Sequence, residues 1–208
     1  GYTWTVPAGW TINSGQGTTS ITATPGSAGN ICVTANNLCG TSAPTCFPVT
    51  ISTASTAPTG ATATPNPICA GSSTTLNVSG GTLGVGASWN WYSGSCGGTF
   101  VGSGSSISVS PASTTTYYVR AQGTCNTTTC QSVTVTVNPV VNPSWTNPSN
   151  ICAAAGSINL NSLITGTAGG TWSGTGVSGA TFDPSSGTQN VTYSVGLAPC
   201  VQTSTQTI

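Results

Sequence analysis

Apolar residues recur in this chain at every second position, and never for long. "YTWTV" (2–6), "SWNWYS" (88–93), "TYYVRAQ" (116–122) and "SVTVTV" (132–137) each alternate Trp, Tyr or Val with Thr, Ser or Asn. A period of two sends one set of side chains to a core and the other to water, which is how a half-buried strand reads. Gly, Pro and Asn fall between the runs, where they supply turns, and β-branched and aromatic residues fill the runs themselves. The expected class is all-β, with almost no helix.

Composition narrows the chemistry. Among 208 residues there is one base, Arg120, and one acid, Asp183, with no histidine and no methionine. General acid–base catalysis, Ser-His-Asp triads and two-metal sites each need several titratable groups in one place, so no catalytic constellation is expected and the chain does not read as an enzyme. Phosphate affinity comes from many Lys/Arg contacts, which excludes nucleic acid as a partner. Hard-cation ligands are nearly absent, and no cofactor or metal site is expected. No apolar run approaches the ~18 residues of a membrane helix, so membrane insertion is not expected either. A surface rich in Thr and Ser with a formal net charge of zero favours association. Sugars covering that surface, O-linked to Thr and Ser, or association as a purpose, would each account for it.

Three internally similar units lie along the chain. "NPICAGSSTTLNVSGG" (66–81) and "PSNICAAAGSINLNSL" (148–163) share a Pro/Asn turn, Ile-Cys-Ala, a small-residue corner and an alternating strand. "CFPVTIS" (46–52), "CQSVTVTV" (130–137) and "CVQTSTQTI" (200–208) each place a cysteine at the head of a closing strand. Between the units, "APTGATATPNP" and "NPVVNPSWTNP" are short and Pro-rich, so adjacent units are expected to sit close together. The boundaries expected are 1–55, 56–138 and 139–208. In the middle unit strands are expected over 73–80, 88–93, 99–102, 106–110, 116–122 and 132–137. About seven short strands, Trp on the third and Tyr at the start of the sixth describe an immunoglobulin-like sandwich. Trp89, Trp91, Tyr117, Val119, Val133 and Val135 are its candidate core.

These stretches resemble known repeats. "ICAGSSTTLNVSGG" with "WNWYSGSCGGTFVGSGSSISVSPASTTTYYVRAQGTC" resembles the Ig-like repeats of giant secreted and surface proteins of gliding, polymer-degrading Bacteroidetes. "YTWTVPAGWTINSGQGTTSITATPGSAGNICVTANNLCGTS" resembles the PKD-like repeats of the same proteins, and "GGTWSGTGVSGATFDPSSGTQNVTYSVG" resembles a third repeat type of theirs. The resemblance implies tandem, disulfide-stapled sandwiches and export by a type IX system. Two function classes follow: a stalk or filament segment of a long adhesin or surface fibre, or a polysaccharide-binding accessory module of a secreted protein. Partners would be neighbouring repeats, other subunits of a fibre, or glycans. An isolated binding module would keep affinity for a glycan.

Nine cysteines without a C-x-x-C pair or histidine indicate disulfides, hence an oxidising extracellular or cell-surface location. Strands over 73–80 and 116–122 run one way and those over 88–93 and 132–137 the other, which assigns each cysteine to an end. Cys69 and Cys96 fall at the lower end and are expected to pair. Cys125 with Cys130, and Cys39 with Cys46, would close hairpin turns. Cys152 and Cys200 are the only two in the third unit. Strands of six or so residues separate them by ~20 Å, whereas a bridge needs Cα atoms about 4.4–6.8 Å apart. The alternatives are Cys152–Cys200 or a link from Cys200 to the Cys69/Cys96 end of the middle unit.

Cys32 is left without a partner in its own unit. "YTWTV" matches the third strand of such a sandwich, with Trp4 where Trp89 or Trp91 and Trp172 stand, so strands A and B of the first unit are expected from upstream sequence or from another molecule. Cys32 would take its partner from the same source. Trp10, Trp145 and Phe100 could form a sugar-stacking platform but read as packing. Asn77-Val-Ser79, Asn126-Thr-Thr128 and Asn190-Val-Thr192 are candidate N-glycosylation acceptors. Arg120, on the strand face opposite to Val119, reads as a solvated charge.

Overall fold

A computed structural model describes residues 1–148 and 151–208; Ser149 and Asn150, which belong to the 148–163 stretch compared above, lie outside the described residues. The fold is all-β, with two short 3-10 turns and no α-helix among the described residues.

The first unit contains β1 (Tyr2–Thr5), β2 (Thr11–Ser14), β3 (Thr22–Thr24), β4 (Gly29–Asn37), β5 (Gly40–Thr41) and β6 (Thr45–Val49). β1 and β6 flank β4, and β2 pairs with β3 as a separate hairpin. Trp4 stands directly opposite Val33 and Ile31 opposite Phe47, so Tyr2, Trp4, Ile31, Val33 and Phe47 share one face of the sheet. That face is only partly covered: Trp4 is half-buried, and Phe47 is 72% exposed. The Gln16 side chain grips β1 from the side, its amide donating to Trp4 O at 3.0 Å while its oxygen accepts from Trp4 N at 2.9 Å.

The middle unit is a two-sheet sandwich. Its strands are β7 (Gly60–Thr64), β8 (Ile68–Cys69), β9 (Thr74–Ser79), β10 (Ser88–Ser93), β11 (Thr99–Ser103), β12 (Ser106–Val109), β13 (Thr115–Gln122), β14 (Gln131–Val135) and β15 (Val137–Asn138). One sheet runs β11-β10-β13-β14 and the other β12-β9-β7, with β8 and β15 pairing in parallel beside them. Alternation does what the sequence requires of it. Trp89, Trp91, Tyr117, Val119 and Val135 point inward to meet Leu76 and Val109 from the facing sheet, and Val133 packs at their edge. Trp91 is fully buried, and its indole N–H is satisfied by Gly104 O at 3.0 Å. Asn66 extends the ladder where backbone pairing breaks, donating to Thr134 O and accepting from Thr136 N, both at 2.9 Å.

The third unit has β16 (Ile158–Asn159), β17 (Thr171–Ser173), β18 (Val177–Ser178), β19 (Thr181–Phe182), β20 (Asn190–Val195) and β21 (Gln202–Thr207) in two small sheets. Its core is aromatic. Trp145 meets Trp172 edge-on at 5.0 Å between centroids, and Trp172 lies 4.6 Å from Tyr193. Trp145 comes from the Pro-rich joint, which pairs with 163–167 through Thr146 N to Leu163 O (2.8 Å) and Thr167 N to Asn142 O (2.7 Å). Half of the expected linker is thus a strand in all but length. Trp4, Trp91 and Trp172 each face the following central strand in register, opposite Val33, Val119 and Tyr193.

The cysteine map departs from the sequence expectation at every pairing put first. The bridges are Cys32–Cys46, Cys69–Cys200 and Cys96–Cys130, while Cys39, Cys125 and Cys152 are free and exposed. Cys39–Cys46 fails because Cys39 sits at the tip of the hairpin, whereas Cys46 faces Cys32 directly across the ladder, Cα to Cα 4.0 Å. Cys32 therefore has its partner within the unit.

Cys125–Cys130 fails because the hairpin closes early, at the Gln122–Thr127 bridge, leaving Cys125 out on the turn. Cys69–Cys96 fails for a related reason. Gln131 pairs with Val119, so Cys130 lies part-way down the sheet rather than at its top. The loop over 94–98 folds back across the outer face to meet it, with Gly97 against Arg120. Cys152–Cys200 gives way to the interdomain alternative, Cys69–Cys200, with Cα atoms 5.5 Å apart.

Candidate functional site

The groups that do something specific here are the ties between units. At the lower joint, Cys69 on β8 bridges Cys200 at the head of β21. Beside it, the buried Asn138 side chain donates to Ala198 O at 2.9 Å, and the Asn138 main-chain carbonyl accepts from Ala70 N at 3.0 Å. Val141, three residues on, packs partly buried against the core of the third unit. Only Pro139 and Val140 separate Asn138 from that packing, and no free tether is left.

The upper joint is tied without a disulfide. Asn126, in the turn after β13, accepts from Ser55 N at 2.8 Å and donates to Ser55 O at 2.9 Å. Ser55 is buried, its hydroxyl accepts from Gly84 N at 2.9 Å, and Thr56 pairs with Thr82. The backbones approach so closely that a Cβ on Gly84 would lie 1.9 Å from Thr53 O, which only glycine allows. Residues 53–56 are thus held against the middle unit, leaving 50–52 between that contact and β6.

Each sequence-predicted site residue can now be placed. Asn126 has both amide atoms committed to Ser55, so glycosylation there would break the upper tie. Asn77 is half-buried on β9, and Asn190 is exposed, accepting from the Thr207 hydroxyl at 2.7 Å. Trp145 is buried and Trp10 is half-buried with its indole N–H on Ser27 O, as packing requires, but Phe100 is 58% exposed. Arg120 departs from the solvated charge expected of it. Its Nε is buried without a hydrogen-bond partner and its guanidinium lies 5.0 Å from the centre of the Tyr92 ring. Asp183, in the third unit, caps a 3-10 turn through Ser185 N, and that hydrogen bonding holds its carboxyl below the usual carboxylate range. No group of three or more His, Cys, Asp or Glu side chains suited to a metal occurs among the described residues.

The pairing is directly testable. Under native, non-reducing conditions a maleimide should label Cys39, Cys125 and Cys152 and leave the other six blocked until reduction. A native label on Cys69 or Cys200 would refute the closed joint.

Small β units, the middle and third with buried cores of their own, stapled within and between units, define a tandem-repeat segment. Residues 56–139 match the family model of the Ig-like domain, CHU_C associated, and residues 1–49 match that of the PKD-like domain. These two matches support an Ig/PKD-like repeat over residues 1–49 and 56–139. No curated protein matches it. Domains of these types are typically non-catalytic and fit a structural extracellular repeat, in keeping with three disulfides and an oxidising compartment. No helix is long and apolar enough to cross a membrane among the described residues.

Proposed function

We propose that the chain is a stalk or filament segment of a long, non-catalytic adhesin or surface fibre of the Bacteroidetes type, exported through a type IX system to the cell surface. What supports the reading is the covalent joint: Cys69–Cys200 fixes two successive units to each other, and a binding module has no need of that while a spacer under load does. The units proposed are 1–55, 56–138 and 139–208. Partners are neighbouring repeats of the same chain or other fibre subunits, to which the half-covered sheet of the first unit offers an apolar face. Asn77 and Asn190 are the sequons left open for sugar, with O-linked sugar on the Thr/Ser faces giving a near-uncharged surface its solubility.

Small-angle scattering tests the stiff joint. The oxidised chain should give one narrow distribution of maximum dimension, and the Cys69→Ser/Cys200→Ser variant a broader one. Superimposable curves would overturn the stalk reading.

A further inference from the structure

The only basic side chain of the molecule is not placed as a solubilising charge. Arg120 lies on the outer face of β13, opposite Asn90 of β10, with Tyr92 and Tyr118 paired beside them and Gln122 beyond. The Tyr92 ring covers one side of the guanidinium at 5.0 Å. Gly97 closes over it as well: a Cβ there would stand 3.1 Å from both terminal nitrogens. The loop carrying Gly97 is held down by Cys96–Cys130. Arg120 is thereby fixed in one orientation before any ligand arrives.

Its hydrogen-bonding capacity is nevertheless unused. Nε is buried with no acceptor, and neither terminal nitrogen donates to any protein atom among the described residues. The chain's one carboxylate side chain, Asp183, is in another unit and engaged with Ser185. An oriented, half-desolvated guanidinium whose nitrogens make no hydrogen bond within the protein is a ready donor to a planar carboxylate. Beside it, Phe100 packs edge-on to Tyr92 at 5.9 Å yet is 58% exposed, offering apolar area to the C–H face of a sugar ring. Gln122 accepts from the Tyr92 hydroxyl at 2.8 Å, which leaves its own amide N–H groups for a sugar hydroxyl.

We propose that this outer face of the middle unit binds an acidic polysaccharide, with Arg120 holding the carboxylate of a uronic acid residue and Phe100 stacking against a sugar ring. A single cation flanked by amide, phenol and aromatic groups fits a sugar bearing one carboxylate among hydroxyls; an acidic peptide, with several charges, would find one partner. The site goes beyond the stalk reading and stands apart from it, since the scattering test above does not depend on glycan binding.

Affinity electrophoresis of the intact chain tests it, with polygalacturonate, dextran, dextran sulfate and polyglutamate as the probes. The chain should be retarded by polygalacturonate, less so at high salt, and not by dextran. Arg120→Gln should weaken retardation at least tenfold, and Arg120→Lys, which keeps the charge but loses the fork, should fall between. Phe100→Ala should weaken it severalfold with an unchanged melting temperature, which keeps the test decisive even where an Arg120 variant fails to fold. No retardation by polygalacturonate, equal retardation by dextran, stronger retardation by dextran sulfate or polyglutamate, or wild-type behaviour of Phe100→Ala would each overturn the proposal.

Discussion

Pulled from its two ends with its disulfides intact, the chain should refuse to lengthen through most of its middle and third units. Tension entering at Cys69 crosses the sulfur bridge to Cys200 and continues into β21, so the strands between them carry little of it. The bridged residues are 131 apart in sequence but 5.5 Å apart in space. Extended chain spans at most ~3.3–3.6 Å per residue, so full reduction should release about 430–470 Å of hidden contour from this bridge. Cys32–Cys46, with a separation of 14, should add roughly 50 Å from the first unit. Single-molecule force spectroscopy before and after reductant reads both. A contour length indifferent to reductant would mean that the joint is open and would remove the physical basis for a tension-bearing stalk.

How much of this was legible beforehand follows from what kind of information each feature carries. The strands of the middle unit were, because alternation is local: "SWNWYS" needs no knowledge of its neighbours to send Trp89 and Trp91 to one face, and β10 spans the expected 88–93. The correspondence of Trp4, Trp91 and Trp172 was legible for the same reason. Disulfides were not, because a bridge depends on where two strands start relative to each other. Placing Cys130 at the top of the sheet assumes that β14 begins there, but its ladder begins at Gln131 opposite Val119.

The remaining features are tertiary. The usual burial of aromatics marks Trp145 as packing, but nothing in "NPVVNPSWTNP" says which core it joins; that is decided by Trp172 and by hydrogen bonds to 163–167. Arg120 looks solvated on its own strand and becomes half-buried only when a distant disulfide pulls the 94–98 loop across it. Asn126 reads as a sequon because its three-residue pattern is local, while its partner, Ser55, is 71 residues away. A chain with almost no charge thus uses side-chain amides where others use ion pairs, and such contacts leave no local trace.

Trp91→Ala should be the most damaging single substitution in the middle unit. The side chain is fully buried between the two sheets, and truncation of a buried Trp costs about 3–5 kcal/mol. The indole bond to Gly104 O goes with it, leaving that carbonyl without the indole donor. A domain of this size melts roughly 4–8 °C lower per kcal/mol lost, so the unit should melt at least about 12 °C lower. The Cys96–Cys130 bridge works in the opposite direction. Closing a loop of sequence separation 34, it restricts the unfolded chain by about 4 kcal/mol. The two magnitudes are similar, which makes the outcome conditional: the oxidised variant should remain folded, whereas Trp91→Ala combined with Cys96→Ser/Cys130→Ser should not. Hydrogen exchange resolved to residues 56–139 in the intact chain distinguishes the cases, with Phe100→Ala, at 58% exposed, as the substitution that leaves protection unchanged. Wild-type protection in the triple variant would mean that neither Trp91 nor the Cys96–Cys130 bridge is the keystone of the unit.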